Sequence, residues 1–231
     1  MQKGKLYGVS VGPGDAELMT LKAVRVLKSC PVVASPVTRK GETVALNIAR
    51  GAVELSGKEI VEIAFLMSRD RAELLENYAR AADRLAAYLD RGQDVAMLNL
   101  GDISVYSTYS YVDELLQARG YETEWVPGVT SFCAVAAKLR RDLSQWDEML
   151  HVIPSSVEDL DAALRLPGTK IVMKPGRELP KVIAALDRAG LLEKAGMVQN
   201  CGLPNERVVP VLSAGEASTD YFTTIIVKDS F

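Results

Sequence analysis

Short β-branched, apolar runs alternate along the chain with segments whose apolar positions recur every three or four residues. This is the pattern of parallel strands joined by returning helices. Residues 6–11 read as a first strand, closed by Gly12-Pro13-Gly14-Asp15. Thr20 caps a helix with Leu21, Val24 and Leu27 on one side, and Cys30-Pro31 ends it. A short strand at 32–34, a helix over 43–50 stopped at Gly51, and a strand at 59–64 follow. The most regular helix spans 70–91. Asp70-Arg71-Ala72-Glu73 forms a capping-box pattern, Leu74, Tyr78, Leu85 and Leu89 make its stripe, and Gly92 is its stop. A strand apolar on both faces at 94–100 leads into a helix over 106–119 that Gly120 closes.

Near residue 120 the pattern restarts. Strands are expected at 123–126, 150–153, 170–173, 197–199, 208–212 and 222–227, with helices at 131–139, 157–164 and 179–189. The late strands lack helices between them, which predicts hairpins and a mixed sheet. The boundary falls near 118–124, giving an α/β domain over 1–120 with a parallel sheet and a second α/β domain over 121–231 with a mixed one.

Composition narrows the chemistry. The 231 residues are 48% hydrophobic, enough for a sizeable core, and 30 acidic against 27 basic side chains leave a net charge of −3. That balance argues against nucleic acid or an anionic membrane as the main partner, while leaving room for a local basic pocket. No apolar run approaches the roughly 18 residues that span a bilayer, and the first residues lack a leader's apolar stretch. Three cysteines, Cys30, Cys133 and Cys201, form no Cys-x-x-Cys pair and suit a reducing, cytoplasmic setting. One histidine, His151, argues against His-rich metal sites and a Ser-His-Asp triad; it reads as structural, and no protein-bound metal is expected.

Three segments remain as carriers of chemistry. Gly8-Val9-Ser10-Val11-Gly12-Pro13-Gly14-Asp15 is a glycine-rich loop after the first strand, lacking both the dinucleotide fingerprint and the Gly-Lys-Ser/Thr ending of a phosphate loop. By itself it reads equally as a tight turn or a ligand loop. In the second, a buried strand ends at Gly101-Asp102 and hydroxyl side chains follow, with Tyr106, Tyr109 and Tyr111 among them. Asp102 reads as a helix cap or a ligand group, and the tyrosines as core or as the wall of an aromatic-substrate cleft. The third, Pro127-Gly128-Val129-Thr130-Ser131, repeats the grammar of strand, turn and hydroxyls; in isolation, Thr130 and Ser131 read as helix caps.

Taken in order, these segments resemble the tetrapyrrole methylases, S-adenosylmethionine-dependent enzymes of the cobalamin and siroheme pathways, over nearly the whole chain. The loop Ala34-Ser35-Pro36-Val37-Thr38-Arg39-Lys40-Gly41, the stretch 101–111 and Val126-Pro127-Gly128-Val129-Thr130-Ser131-Phe132 are most similar to the branch that methylates C20 of precorrin-2 or its cobalt form. The sequence departs from the family at Ile103, where proline is usual. It also has Ser35-Pro36 where uroporphyrinogen methylases carry an aspartate, which speaks against that reaction. Methylases of the same fold that act on another tetrapyrrole position or on a macromolecule, as diphthine synthase does, are the alternative, as is a non-catalytic nucleotide-binding module.

The resemblance implies two α/β domains with S-adenosylmethionine and substrate in the cleft between them, and a homodimer. Carried over by motif, cofactor contacts come from Pro13, from Leu100, Gly101 and Asp102, from Val105 and Tyr106, and from Thr130 and Ser131. In the second domain they come from Met173, Cys201, Gly202 and Thr223 (or its neighbour Thr224). Arg39, Lys40, Tyr109 and Tyr111 are the substrate-binding candidates, with Lys138, Arg140 and Arg141 as a further cluster for an acidic substrate. A sulfonium methyl is already activated, so the protein's task is alignment and exclusion of water, and no residue is assigned as the base.

Overall fold

The structure is a computed structural model that describes residues 2–37, 41, 43–66, 68, 70–216 and 219–228. The chain forms two compact units, Met1–Thr130 and Ser131–Phe231.

The first unit runs β1 (Leu6–Ser10), α1 (Leu21–Ser29), β2 (Val32–Val37), α2 (Val44–Ala52), β3 (Glu59–Ala64), α3 (Arg71–Leu89), β4 (Val95–Asn99), α4 (Tyr109–Ala118) and β5 (Thr123–Val126). Its sheet has the order β3-β2-β4-β1-β5, with every pairing parallel. The pleat of β4 sends Ala96 and Leu98 to a layer with α1 and α2, and Val95 and Met97 to a layer with α3 and α4. Helices on both faces explain why the strands are apolar throughout. Leu85 and Leu89 of α3 are fully buried, and each such side chain contributes roughly 1.5–3 kcal/mol over an exposed one.

Several expectations shift. β5 pairs with β1 from Leu6↔Thr123 to Val9↔Val126, so the first sheet extends past the expected boundary and the units divide at Thr130/Ser131. Leu21 is 90% exposed, and the buried stripe of α1 is Ala23, Val26 and Leu27. Gly51 does not stop α2, which continues to Ala52; a Cβ on Gly51 would lie 2.8 Å from the Ala16 Cβ, so this glycine serves packing. The Asp70 box is half formed. Asp70 accepts from the Ala72 and Glu73 amides, while the Glu73 carboxylate turns to the Ser68 hydroxyl. α4 begins at Tyr109 rather than 106 because Tyr106 has φ +50°, which a right-handed helix cannot hold.

The second unit runs α5 (Ser131–Leu139), β6 (Leu150–Pro154), α6 (Leu160–Leu164), β7 (Thr169–Met173), α7 (Leu179–Arg188), β8 (Ala195–Gln199), β9 (Arg207–Val209) and β10 (Thr223–Val227). The sheet order is β6-β7-β10-β8-β9; β6 and β7 are parallel and the other pairings antiparallel. α6 and α7 pack on Val172, Met197 and Ile225. Lys228 is 3% exposed and held by Asp142 at 2.8 Å and Glu148 at 3.0 Å. Among the described residues, no helix is long and apolar enough to cross a membrane.

Candidate functional site

In an open parallel sheet, the loops leaving the C-terminal ends of the strands gather along one edge, where ligands bind. In the first unit the loops after β1, β4 and β5 meet there. The Gly101 amide donates to the Gly12 carbonyl at 2.8 Å and the Gly12 amide returns the bond to Gly101 at 3.2 Å. Two loops about 90 residues apart are thereby bridged through backbone alone. Ser10, the last residue of β1, accepts from the Ile103 amide at 2.9 Å. The Ser107 hydroxyl donates to Asn99 at 2.6 Å and accepts from the Tyr109 amide at 3.1 Å, which fixes the other end of the 100–108 segment.

Asp102 ties this segment to the turn after β5. Its carboxylate, 7% exposed, accepts from the Gly128 amide at 2.7 Å, from the Ser104 amide at 2.9 Å and from the Ser104 hydroxyl. Burial alone would raise its pKa, but the Gly128 and Ser104 donors outweigh it and hold the group below the ordinary aspartate value. The Asp102 side chain is therefore a clamp between loops. What the segment offers a ligand is its backbone. Gly101 has φ +74°, and a Cβ there would meet no atom within 4 Å, so the loop leaves open space where any other residue would put a side chain.

Thr130 closes this group. Its hydroxyl is buried and has no hydrogen-bond partner among the described residues. The capping role expected of Thr130 in isolation is not what the structure gives it, since no helix amide reaches that oxygen. A buried hydroxyl without a partner costs about 1–3 kcal/mol, a debt that a bound polar ligand removes. Pro13 is buried, Leu100, Val105 and Ser131 are half-buried, and Tyr106 is 45% exposed at the strained turn before α4.

The remaining candidates of this unit separate. Tyr109 is 1% exposed: its ring lies against Gly8, where a Cβ would come within 2.5 Å of the Tyr109 Cζ, and against Trp125 at 5.9 Å between centroids. Burial, and then Asp113, drive its phenol well above the ordinary range, so it stays protonated and donates to Asp113 at 3.3 Å. Tyr109 is thus core, which corrects its expected place on the substrate, and Gly8 serves packing rather than a ligand. Tyr111 is 49% exposed. Arg39 and Lys40 lie outside the described residues.

In the second unit, Met173 ends β7 opposite Thr224 of β10, and Thr223 pairs with Gln199 at the end of β8. Met173, Cys201 and Thr223 therefore occupy one end of that sheet, with Gly202 in the turn after β8. Several of their polar groups are engaged internally. The Thr223 hydroxyl donates to the Asp220 carbonyl at 2.6 Å and accepts from Gln199 at 3.2 Å, and the Gly202 amide donates to Glu206 at 2.6 Å. Lys174 and Asn200, which follow β7 and β8, both have left-handed φ, at +57° and +51°. Of the basic cluster at the end of α5, Lys138 pairs with Glu206 and Arg141 donates to the carbonyls of Lys194, Pro210 and Ile226, so these two serve the fold. His151 bonds the Pro167 carbonyl at 2.8 Å, as a structural histidine does.

Ser10 and the Gly128 amide were not legible as loop clamps from local pattern. The one available signal was a serine in an otherwise apolar buried strand.

Residues 5–216 match the family of tetrapyrrole (corrin/porphyrin) methylases. The probable cobalt-precorrin-2 C(20)-methyltransferase of Methanocaldococcus jannaschii is 36% identical over 206 residues, 89% of this chain and 86% of that one. The cobalt-precorrin-2 C(20)-methyltransferase of Salmonella typhimurium is 36% identical over 235 residues, 97% of this chain and 96% of that one. Among solved structures, the uroporphyrin-III C-methyl transferase from Thermus thermophilus complexed with S-adenyl homocysteine superposes with a TM-score of 0.70 at 26% identity, covering 98% of each chain.

Proposed function

The chain belongs to the tetrapyrrole methylases, and from that membership we propose that it transfers a methyl group from S-adenosylmethionine to C20 of cobalt-precorrin-2 or precorrin-2, a step in building the corrin ring of cobalamin. The observation that carries the reading is the 36% identity to the Salmonella typhimurium C20 enzyme along almost the full length of both chains. Ser35-Pro36, where uroporphyrinogen methylases carry an aspartate, agrees with it.

The first unit fits the cofactor on its own terms. Open space over Gly101, the bridged Gly12 and Gly101 loops and the unpartnered Thr130 hydroxyl together offer a polar ligand a cradle with one hydrogen bond waiting. In this reading Pro13, Leu100, Gly101, Asp102, Val105, Tyr106, Thr130 and Ser131 surround it from the first unit. Asp102 acts through its backbone and through the loop it clamps. Met173, Cys201, Gly202 and Thr223 contribute from the second. When bound, the cofactor supplies a sulfonium methyl that needs no further activation. The chain's own work is then to hold the loops at fixed spacing, keep water out and present the acceptor carbon in line, which is catalysis by orientation. Tyr111 is the described candidate for substrate contact. A homodimer in the cytoplasm completes the proposal; three cysteines with no disulfide among them suit that compartment.

The test is an anaerobic assay with S-adenosylmethionine and precorrin-2, with and without inserted cobalt, read by product mass and by the meso-proton signals. A gain of one methyl with loss of the C20 meso proton supports the reaction, and the faster substrate assigns the metal state. Cofactor binding without methyl gain on either form overturns the C20 assignment.

A further inference from the structure

Three aromatic rings of the first unit form a row in which two are stacked and the third meets them at a tilt. Tyr78, from the second turn of α3, is 7% exposed; Tyr111, from the first turn of α4, lies on it with ring centroids 4.8 Å apart and ring planes 4° from parallel. Phe65, just after β3, meets the Tyr78 ring at 6.2 Å, tilted by 57°. The backbone under Phe65 is fixed by Asn77, which donates to the Ala64 carbonyl at 3.1 Å and accepts from the Leu66 amide at 3.2 Å. Asn77 is itself 8% exposed, so a side chain on α3 extends the pairing of β3 past its end.

The result is a ring with one face covered and the other open. Tyr111 keeps 49% of its surface, and its hydroxyl bonds to nothing among the described residues. A half-exposed tyrosine anchored by its hydroxyl would point to a polar contact; this one is anchored by its face. Near-parallel stacking presents the outer face as a rigid plane, and a rigid aromatic plane is a low-entropy surface for a flat conjugated partner. Both helices leave the edge of the sheet that carries the glycine loops, so the plane stands on the ligand side of the unit.

We infer that the open face of Tyr111 is a stacking floor for a conjugated segment of the tetrapyrrole, and that Tyr78 and Phe65 are positioning residues that hold that floor flat. The inference rests on the tetrapyrrole reading of the site, and it adds two residues, Phe65 and Tyr78, that touch no substrate themselves. The plane recognises the flat π-surface of the substrate, whereas its carboxylates must be met elsewhere.

The experiment is equilibrium binding of uroporphyrin III, a stable polycarboxylate macrocycle, to the full chain, followed by the shift and loss of intensity of its Soret band. Y111A should weaken binding about tenfold and abolish the band shift, as expected for loss of one stacking contact, whereas Y111F should keep both within about twofold. Y78L should weaken binding severalfold by loosening the floor, and Y78F should restore it. In the methyl-transfer assay the same variants should raise KM for the tetrapyrrole and leave KM for S-adenosylmethionine unmoved. Equal affinity of wild type and Y111A for the macrocycle, or no binding by wild type, overturns the inference. A wild-type chain that binds the macrocycle through Tyr111 yet methylates neither precorrin-2 form overturns the C20 reading and leaves the stacking floor standing.

Discussion

Replacing Thr130 with valine should make the free protein more stable and its cofactor complex weaker. The two side chains share a shape and differ by a hydroxyl, and that hydroxyl is buried with no partner in the first unit. Leaving such a group unsatisfied costs about 1–3 kcal/mol, so T130V should gain roughly 1 kcal/mol once imperfect packing of the new methyl is deducted. For a chain of this length that is a rise of about 2–4 °C in melting temperature. The same oxygen is a buried hydrogen-bonding group without a partner among the described residues, and its bond to a ligand is worth about 0.5–1.5 kcal/mol, or about 2- to 12-fold in affinity. Calorimetric titration with S-adenosylhomocysteine beside a thermal scan reads both quantities on one sample, and T130S, which keeps the hydroxyl, should keep the affinity. Two results refute the reasoning. A fall in melting temperature would mean that the hydroxyl has an internal role. Unchanged affinity with a raised melting temperature would mean that the cofactor does not meet it.

Two further outcomes follow from the same loops. G101A should fold at a cost of about 1 kcal/mol, the strain of a left-handed alanine at φ +74°, yet lose cofactor binding by more than tenfold, because the new methyl enters the open space over the loop; a melting curve and a binding isotherm separate the two effects. D102N should lose about 2–3 kcal/mol at neutral pH, since an amide accepts less from Gly128 and Ser104 and sets its own N–H against theirs. Because the folded pKa of Asp102 lies below its unfolded value of about 3.9, the carboxylate's contribution is complete above that pH and is lost as pH falls through the folded pKa. Denaturant titrations should therefore show the gap between wild type and D102N closing below about pH 4, and a gap that stays constant to pH 2 would place the effect elsewhere.

How much of this was legible in the sequence depends on the range of the interaction that decides each element. The nine-residue α1, capped by Thr20 through the Ala23 amide, and the long α3, capped by Asp70, follow from neighbours within four positions. The parallel and mixed sheets could be read from the spacing of strands and helices, because connection length restricts pairing. The misplaced boundary has a different origin. β5 is short, half-exposed and followed by a turn that mimics the first loop, and only its pairing with β1, more than 110 residues away, assigns it to the first unit. Tyr109 was misplaced for the same reason. Nothing local says that Gly8 is bare to receive its ring. The left-handed φ of Tyr106, which delays α4, likewise falls between residues held by Ser10 and Asn99, in a segment with ordinary local propensity.

The division of labour among the polar groups bears on what kind of catalyst this is. Several polar groups among the expected cofactor residues already hold the fold: the Asp102 carboxylate binds Gly128 and Ser104, the Thr223 hydroxyl binds Asp220 and Gln199, and the Gly202 amide binds Glu206. Such groups serve a ligand mainly by holding their loops in place. Among the described residues, what stays open for binding includes the backbone of bridged loops, a bare glycine, the buried Thr130 hydroxyl and an aromatic face. Surfaces of that kind fix where a molecule lies far better than they move protons. For the transfer of a methyl already activated by its sulfonium, position is the scarce quantity. A site that commits its carboxylates and amides to holding loops apart at a set distance, rather than to acid–base work, is built to supply it.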